Sequence, residues 1–260
     1  FGDGSGMNPA VLDSIRGEQV ADVRHRLITA SLEANGTLFE LPAGRVALAV
    51  GAEHREERYG VDTLRTDGSR SVDVSDREVQ SAYAELFIPI LRGVTLIDSL
   101  DASLAIRYDR YNDFGSTTNP KFGVNWSPIP GLTFRGSYGT SFRAPLITQI
   151  YGNSNNLFGQ NYQNPAGGAP LVGFAYSGPN LDLAPEEATT WSLGADWAPT
   201  SDLRFSVTYF NVEYTNQVDS YLADLAILNR ESEFAGTGII LRGTEARDRV
   251  LQLLSQGVGL

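Results

Sequence analysis

His25 and His54 are the only histidines in the 260-residue chain, and His54-Arg55-Glu56-Glu57 lacks the second histidine that a zinc-binding helix motif requires. There is no cysteine, which removes thiolate metal sites, disulfides and a cysteine nucleophile. No Gly-x-Ser-x-Gly elbow, phosphate loop or dinucleotide fingerprint occurs. Asp98, Asp101, Asp109 and Asp113 are strung along one strand-like stretch instead of forming a compact calcium loop, and read as solvated charge. Glu186 and Glu187 have the chemistry of an acid/base pair, but they follow Pro185 where a loop hands over to a strand, and read as rim charge. The expectation is no enzyme, no metal and no cofactor.

Binding chemistry is better represented. Between Ala144 and Ala188 lie Tyr151, Asn153, Asn155, Asn156, Phe158, Gln160, Tyr162, Asn164, Phe174 and Tyr176, with many glycines and little charge. Aromatic faces supply contact area at low entropy cost and amides supply orientation, which suits a medium-sized neutral or metal-chelated ligand. Tyr151, Asn155, Phe158, Tyr162, Phe174 and Tyr176 are the candidate ligand-binding residues. The alternative is an ordinary polar loop, since asparagine and glycine are common turn formers.

The elements that must carry this loop are strands. Two-residue alternation is cleanest from Leu132 to Arg143, where Leu132, Phe134, Tyr138 and Phe142 interleave with Thr133, Arg135, Ser137 and Arg143. Similar runs cover Arg26 to Phe39, Arg45 to Arg58, Glu78 to Ile88, Leu100 to Tyr111, Lys121 to Ser127, Thr189 to Trp197 and Leu203 to Val218, about eight strands in all. Most reach the roughly 9 to 11 residues of a tilted membrane-crossing strand, beyond the usual 5 or 6. Glu40 to Gly44, Pro128 to Gly131 and Pro199 to Asp202 read as tight turns on one rim. Tyr59 to Arg77, Asn112 to Thr118, Ala144 to Ala188 and the tail from Asp219 read as longer links on the other, the pattern of outer-membrane barrels.

Energetics then choose the faces. An arginine turned to lipid costs about 2–4 kcal/mol at the bilayer midplane, so Arg135 and Arg143 are expected to point into a polar lumen. Glu53 and Arg55 join them, because Val46, Leu48, Val50 and Ala52 occupy the opposite face of their segment. An internal echo supports the register: Gly123, Trp126, Pro128, Leu132, Phe134 and Tyr138 recur as Gly194, Trp197, Pro199, Leu203, Phe205 and Tyr209. Both tryptophans precede a short turn, where an aromatic girdle would sit. Core tryptophans of a soluble β-sandwich are the alternative.

The fold class expected is all-β: an antiparallel up-and-down transmembrane β-barrel, present as an incomplete segment of eight strands. The expected organisation is a loop or linker over 1–23, barrel over 24–218, and an exterior loop over 219–260 with short helices at Ser220 to Asn229 and Thr244 to Gln256. The net charge of −11 removes any general attraction to nucleic acid. No run of apolar residues is long enough for a membrane-spanning helix. The opening Phe1-Gly2-Asp3-Gly4 lacks the features of a signal peptide and reads as the interior of a longer polypeptide.

At this point the residues resemble a known family, the TonB-dependent outer-membrane receptors. Ser137-Tyr138-Gly139-Thr140-Ser141-Phe142-Arg143-Ala144-Pro145 is similar to that family's Tyr-x-x-x-Phe-Arg-Ala-Pro segment. Pro179-Asn180-Leu181-Asp182-Leu183-Ala184-Pro185-Glu186 is similar to its Asn-Pro-x-Leu-x-Pro-Glu element, with the first two residues exchanged. Val50 to Arg55, Ser81 to Leu86 and Tyr209-Phe210-Asn211 with Tyr214 extend the likeness from about residue 24 to 218. The resemblance implies a 22-stranded barrel in the bacterial outer membrane, plugged by an N-terminal domain. It further implies import of a siderophore, cobalamin, haem or oligosaccharide. The implied partners are that extracellular ligand, outer-membrane lipid and TonB, reached through a plug domain not seen in this chain. A passive porin-like channel and a secreted β-sandwich binding module are the competing readings.

Overall fold

The computed structural model describes residues 10–11, 17–152, 155–256 and 258. All eight alternating segments become strands. In chain order these are β1 (Gln19–Leu41), β2 (Gly44–Arg65), β3 (Arg70–Val94), β4 (Ile97–Tyr111), β5 (Gly115–Ile129) and β6 (Leu132–Arg143). A short helix α1 (Ile147–Tyr151) and a hairpin of β7 (Asn156–Tyr162) and β8 (Leu171–Ser177) intervene before β9 (Glu186–Thr200) and β10 (Leu203–Thr215). The long strands form one antiparallel sheet in the order β1-β2-β3-β4-β5-β6-β9-β10, and β7-β8 form a separate pair. Among the described residues β1 and β10 do not pair, so the wall is open at both sides.

Four two-residue turns lie on one rim: Pro42-Ala43, Thr95-Leu96, Pro130-Gly131 and Ser201-Asp202. Gly131 has φ +82° there, and a Cβ would meet the Ala198 carbonyl oxygen at 2.6 Å, so only glycine fits. The opposite rim departs from expectation in three places. The link predicted over Tyr59 to Arg77 is mostly strand, because β2 and β3 extend their alternation to a four-residue turn at 66–69. The link at Asn112 to Thr118 shrinks to three residues, since β5 begins at Gly115. The long loop ends at Pro185 and contains α1 and the β7-β8 hairpin, where cross-strand pairing satisfies backbone groups that an open loop would leave to water.

The C-terminal segment also divides differently. Helix α2 (Gly243–Ser255) matches the predicted span, with Leu253 as its buried residue. Ser220 to Asn229 does not form the expected helix: it is a series of turns entering a 3-10 segment over Ile227–Phe234, itself kinked at Arg230. Its apolar residues satisfy burial by clustering: Ile227, Leu228 and Phe234 pack with Tyr162, Tyr221 and Ile240.

Register gives the sheet two unlike faces. Glu53 lies opposite Ser81, which lies opposite Asp109, and Arg55 opposite Val79, which lies opposite Tyr111. The alternate residues Ala52, Ala82, Ala84, Leu104, Ile106 and Phe122 line the other face. That apolar face is bare: Leu193 is 60% and Val207 68% exposed. The chain exposes 17810 Å² in all, against about 11,000 Å² for a typical globular protein of its mass. Among the described residues no second sheet stacks on the wall, so the sandwich alternative is not the fold adopted.

Candidate functional site

The rim that carries the long excursions also carries a cavity of about 1240 Å³, and the sequence of the β7-β8 hairpin explains one side of it. Leu171 to Ser177 all line the space, as do Leu157 and Tyr162 on β7. The other side comes from the chain after β10, including Val218, Tyr221, Ile239 and Leu241, and from α2. These pieces are bonded to one another. Gln160 Nε2 donates to the Leu222 carbonyl (3.0 Å), Gln163 N to the Leu225 carbonyl (2.8 Å) and Asn229 Nδ2 to Gln163 Oε1 (3.1 Å). Leu157 packs with Leu253 and Val258. Hairpin, 3-10 segment and α2 therefore form one lobe above the wall.

The six predicted ligand-binding residues are only partly brought together. Tyr162, Phe174 and Tyr176 line the cavity. Asn155 reaches it indirectly, accepting a hydrogen bond from the Tyr176 hydroxyl at 2.7 Å. Tyr151 closes α1 beside Asp113 and Arg77, and burial together with the Asp113 charge pushes its hydroxyl pKa up. Phe158 lies opposite Ala175 in the hairpin, outside the cavity lining. Asn153 lies outside the described residues. Burial likewise raises the Tyr162 hydroxyl, which keeps that phenol neutral over the physiological range.

Charge at the mouth is something the sequence reading missed. Arg242, Arg247 and Arg249 line the cavity against one acid, Asp219, in a chain whose net charge is −11. Arg249 sits over the Tyr176 ring, 5.9 Å from its centroid. Arg242 is held by Glu231 in a two-pronged pair at 2.9 and 2.7 Å, which lowers the Glu231 pKa and raises that of Arg242. A signal was present, since four arginines fall between 230 and 249, but their helical placement beside a distant hairpin is tertiary.

On the polar face of the wall, Glu53, Arg55 and Arg135 take part in a ladder of ion pairs. Arg55 lies 3.1 Å from Glu57 and 3.9 Å from Glu53, Arg107 lies 2.9 Å from Asp109, and Arg135 lies 2.6 Å from Asp196. Tyr83 crosses above Gly51 to donate to Glu33 Oε1 at 2.6 Å; a Cβ on Gly51 would sit 2.3 Å from the Tyr83 ring, so glycine is what admits the tyrosine. Asp109, predicted to be solvated, is only 2% exposed and accepts from Ser81 at 2.6 Å. Arg143 pairs with Glu186 at 3.1 Å. Glu186 is not a solvated rim charge: it is 3% exposed and takes three donors, because the strand alternation puts it on the polar face with Arg143. Among the described residues no group of three or more His, Asp or Glu side chains is placed to hold a metal.

The family model described as "TonB dependent receptor-like, beta-barrel" matches residues 4–238. The chain belongs to this family of TonB-dependent receptor β-barrels. It is 24% identical over 204 residues to the probable TonB-dependent siderophore receptor PirA of Acinetobacter baumannii, and 24% identical over 171 residues to the vitamin B12 transporter BtuB of Vibrio cholerae serotype O1. Those alignments cover 74% and 66% of this chain but 26% and 22% of the relatives, so the chain spans about a quarter of their length. The crystal structure of Acinetobacter baumannii PirA superposes with a TM-score of 0.59 at 22% identity, covering 75% of this chain and 28% of that one. A mutant of the ferric enterobactin receptor of Pseudomonas aeruginosa gives 0.60 at 20% identity, covering 77% and 28%. At these identities the superpositions speak for the shared wall architecture. The Trp-x-Pro hairpins obey it: Trp126 pairs with Phe134 (centroids 5.4 Å apart) and Trp197 with Phe205 (5.6 Å), just before the tight turns.

Proposed function

We propose that this chain is part of the barrel wall and outer vestibule of an outer-membrane receptor that binds a scarce nutrient and imports it with TonB-supplied energy. The reading rests on the two-faced sheet. One face is aromatic and aliphatic and suits acyl chains; the other carries Glu53, Arg55, Arg135 and Arg143 and suits a hydrated interior. A water-filled or plugged lumen accepts those charges without full desolvation, whereas lipid would not. The energy-coupling step belongs to a plug domain, a partner role inferred from the family alone.

The lobe is the ligand-capturing part. Its cavity combines Tyr162, Phe174, Tyr176 and Tyr221 with three guanidiniums, and that set fits an anionic ferric chelate with aromatic groups better than a neutral oligosaccharide. Siderophore and enterobactin receptors among the relatives point the same way. Replacing Tyr162, Phe174 and Tyr176 together with alanine in the intact receptor is the test. Cellular uptake of a radiolabelled ferric catecholate should fall at least tenfold while the protein still assembles. Undiminished uptake of that chelate, or equal uptake of cobalamin by the unaltered receptor, would remove the assignment.

A further inference from the structure

The geometry points to Glu186 as a positioning residue that clasps the ligand-capturing lobe to the barrel wall. The 42 residues of the excursion between β6 and β9 leave the wall after Arg143 and return at Glu186, and those two residues face each other in the β6-β9 register. Their side chains close the root of the excursion through Arg143 Nη1, which donates to Glu186 Oε2 at 3.1 Å. The second excursion leaves the wall after β10. Its first turn is held by the same carboxylate: Val218 N donates to Glu186 Oε1 at 2.8 Å, and the Tyr214 hydroxyl donates to Oε2 at 3.4 Å. One side chain, 3% exposed, thus ties the ends of β6, β9 and β10 and the roots of both segments that frame the cavity.

Position, more than strand stability, is what this arrangement controls. The wall strands have their own ladders, and the lobe has its own bonds between hairpin, 3-10 segment and α2. Val218 itself lines the cavity, so the backbone that Glu186 holds is cavity wall. A carboxylate suits the task because it accepts several bonds at once and is strengthened by a charged donor. Glutamine keeps an acceptor for Val218 N but gives up the charge; alanine gives up everything.

The consequence for nutrient capture rests on the function proposed above, but the clasp is tested without any ligand. Amide hydrogen exchange followed by mass spectrometry on the intact receptor in detergent would compare the unaltered protein with Glu186→Ala and Glu186→Gln. In E186A, exchange at 216–222 and at 144–152 is expected to accelerate at least tenfold, with the wall peptide 97–111 unchanged. In E186Q, 216–222 should return to within about threefold of the unaltered protein, because the amide oxygen still receives Val218 N. Unchanged exchange at 216–222 in E186A overturns the clasp, and equal acceleration of the wall overturns it too, since Glu186 would then be a general stabiliser of the sheet. Should E186A not be recovered, Arg143→Leu removes one arm alone. It should accelerate 144–152 and spare 216–222, and an equal change at both, or at neither, overturns the proposal.

Discussion

Arg77 and Asp113 carry the most exposed thermodynamic wager among single residues. The guanidinium is 4% and the carboxylate 0% exposed, they lie 2.7 Å apart, and Arg77 stacks near Tyr111 and Phe114 at 5.7 and 5.9 Å. Removing one member of a buried pair leaves an uncompensated charge, at a cost of about 3–5 kcal/mol. Arg77→Met should therefore lower the urea midpoint of the intact receptor sharply, whereas the double change Arg77→Met, Asp113→Leu should recover most of the loss. Tryptophan fluorescence across a urea series measures both; a double variant as unstable as the single one would argue that packing on Tyr111, not charge, sets the cost. Little of this was legible in the sequence. Asp109 and Asp113 carry no local sign of burial: Asp113 is paired by Arg77, 36 positions away, and Asp109, although Arg107 two positions earlier also pairs with it, is enclosed against Ser81, 28 positions away. The rim-charge expectation for Glu186 fails for the same reason, its donors lying on β6, on β10 and in the segment after β10.

Strand by strand, the alternation makes neighbouring positions unequal in a way that can be measured. Leu193 is 60% exposed on the apolar face, and the adjacent Ser192 points to the polar face, 2.7 Å from Ser137 Oγ. Leu193→Lys should cost about 2–4 kcal/mol if it lies at the bilayer midplane, and Ser192→Lys about 1 kcal/mol or less. Yield of folded receptor in outer-membrane fractions ranks the two, and equal yields would contradict the facing of β9. In the lobe, the Glu231–Arg242 pair staples the 3-10 segment to the start of α2. Its carboxyl pKa is depressed in the folded state by that hydrogen bond. The stabilisation is thus complete above the ordinary glutamate value of 4.5 and fades as pH falls through the lower folded value. Hydrogen-exchange protection at 227–245, the measured rate relative to the intrinsic rate at the same pH, should fall on acidification below 4.5, and Glu231→Gln should abolish that dependence. The strands were legible because period two needs no partner to be seen. Helicity at Ser220 to Asn229 was not, since three apolar side chains can be buried by turns that fold onto a hairpin as well as by a helix.

At the scale of the whole molecule, the described residues form a wall with two free margins and a lobe on one rim. Strand β10 is exposed along its full length, and its outer backbone groups have no partner strand among the described residues. In hydrocarbon, each unsatisfied backbone group costs several kcal/mol. Expressed by itself, the 260-residue chain should fail to yield a heat-resistant monomer in membranes, and recovery of such a monomer on semi-native gels would mean that β1 and β10 can close on each other. The bare apolar face leads to the same conclusion: the stabilising burial of Leu32, Leu104, Leu193 and Val207 is supplied by whatever surrounds the wall, not by a core of its own.

Sequence alone determined the eight wall strands, their order along the chain, three of the four tight turns, the separation of charged from apolar positions and the family, because these depend on local periodicity, turn chemistry and short motifs. Tertiary structure decided the rest. It folded the 144–185 excursion into a hairpin, set Tyr162, Phe174 and Tyr176 around a cavity while leaving Phe158 outside it, and brought Arg249 over a tyrosine 73 positions earlier. It also converted Glu186 from a rim charge into a buried acceptor. Such choices are made by hydrogen bonds and ion pairs between residues tens of positions apart, whose formation depends on register across several strands and leaves no periodic trace in any one of them.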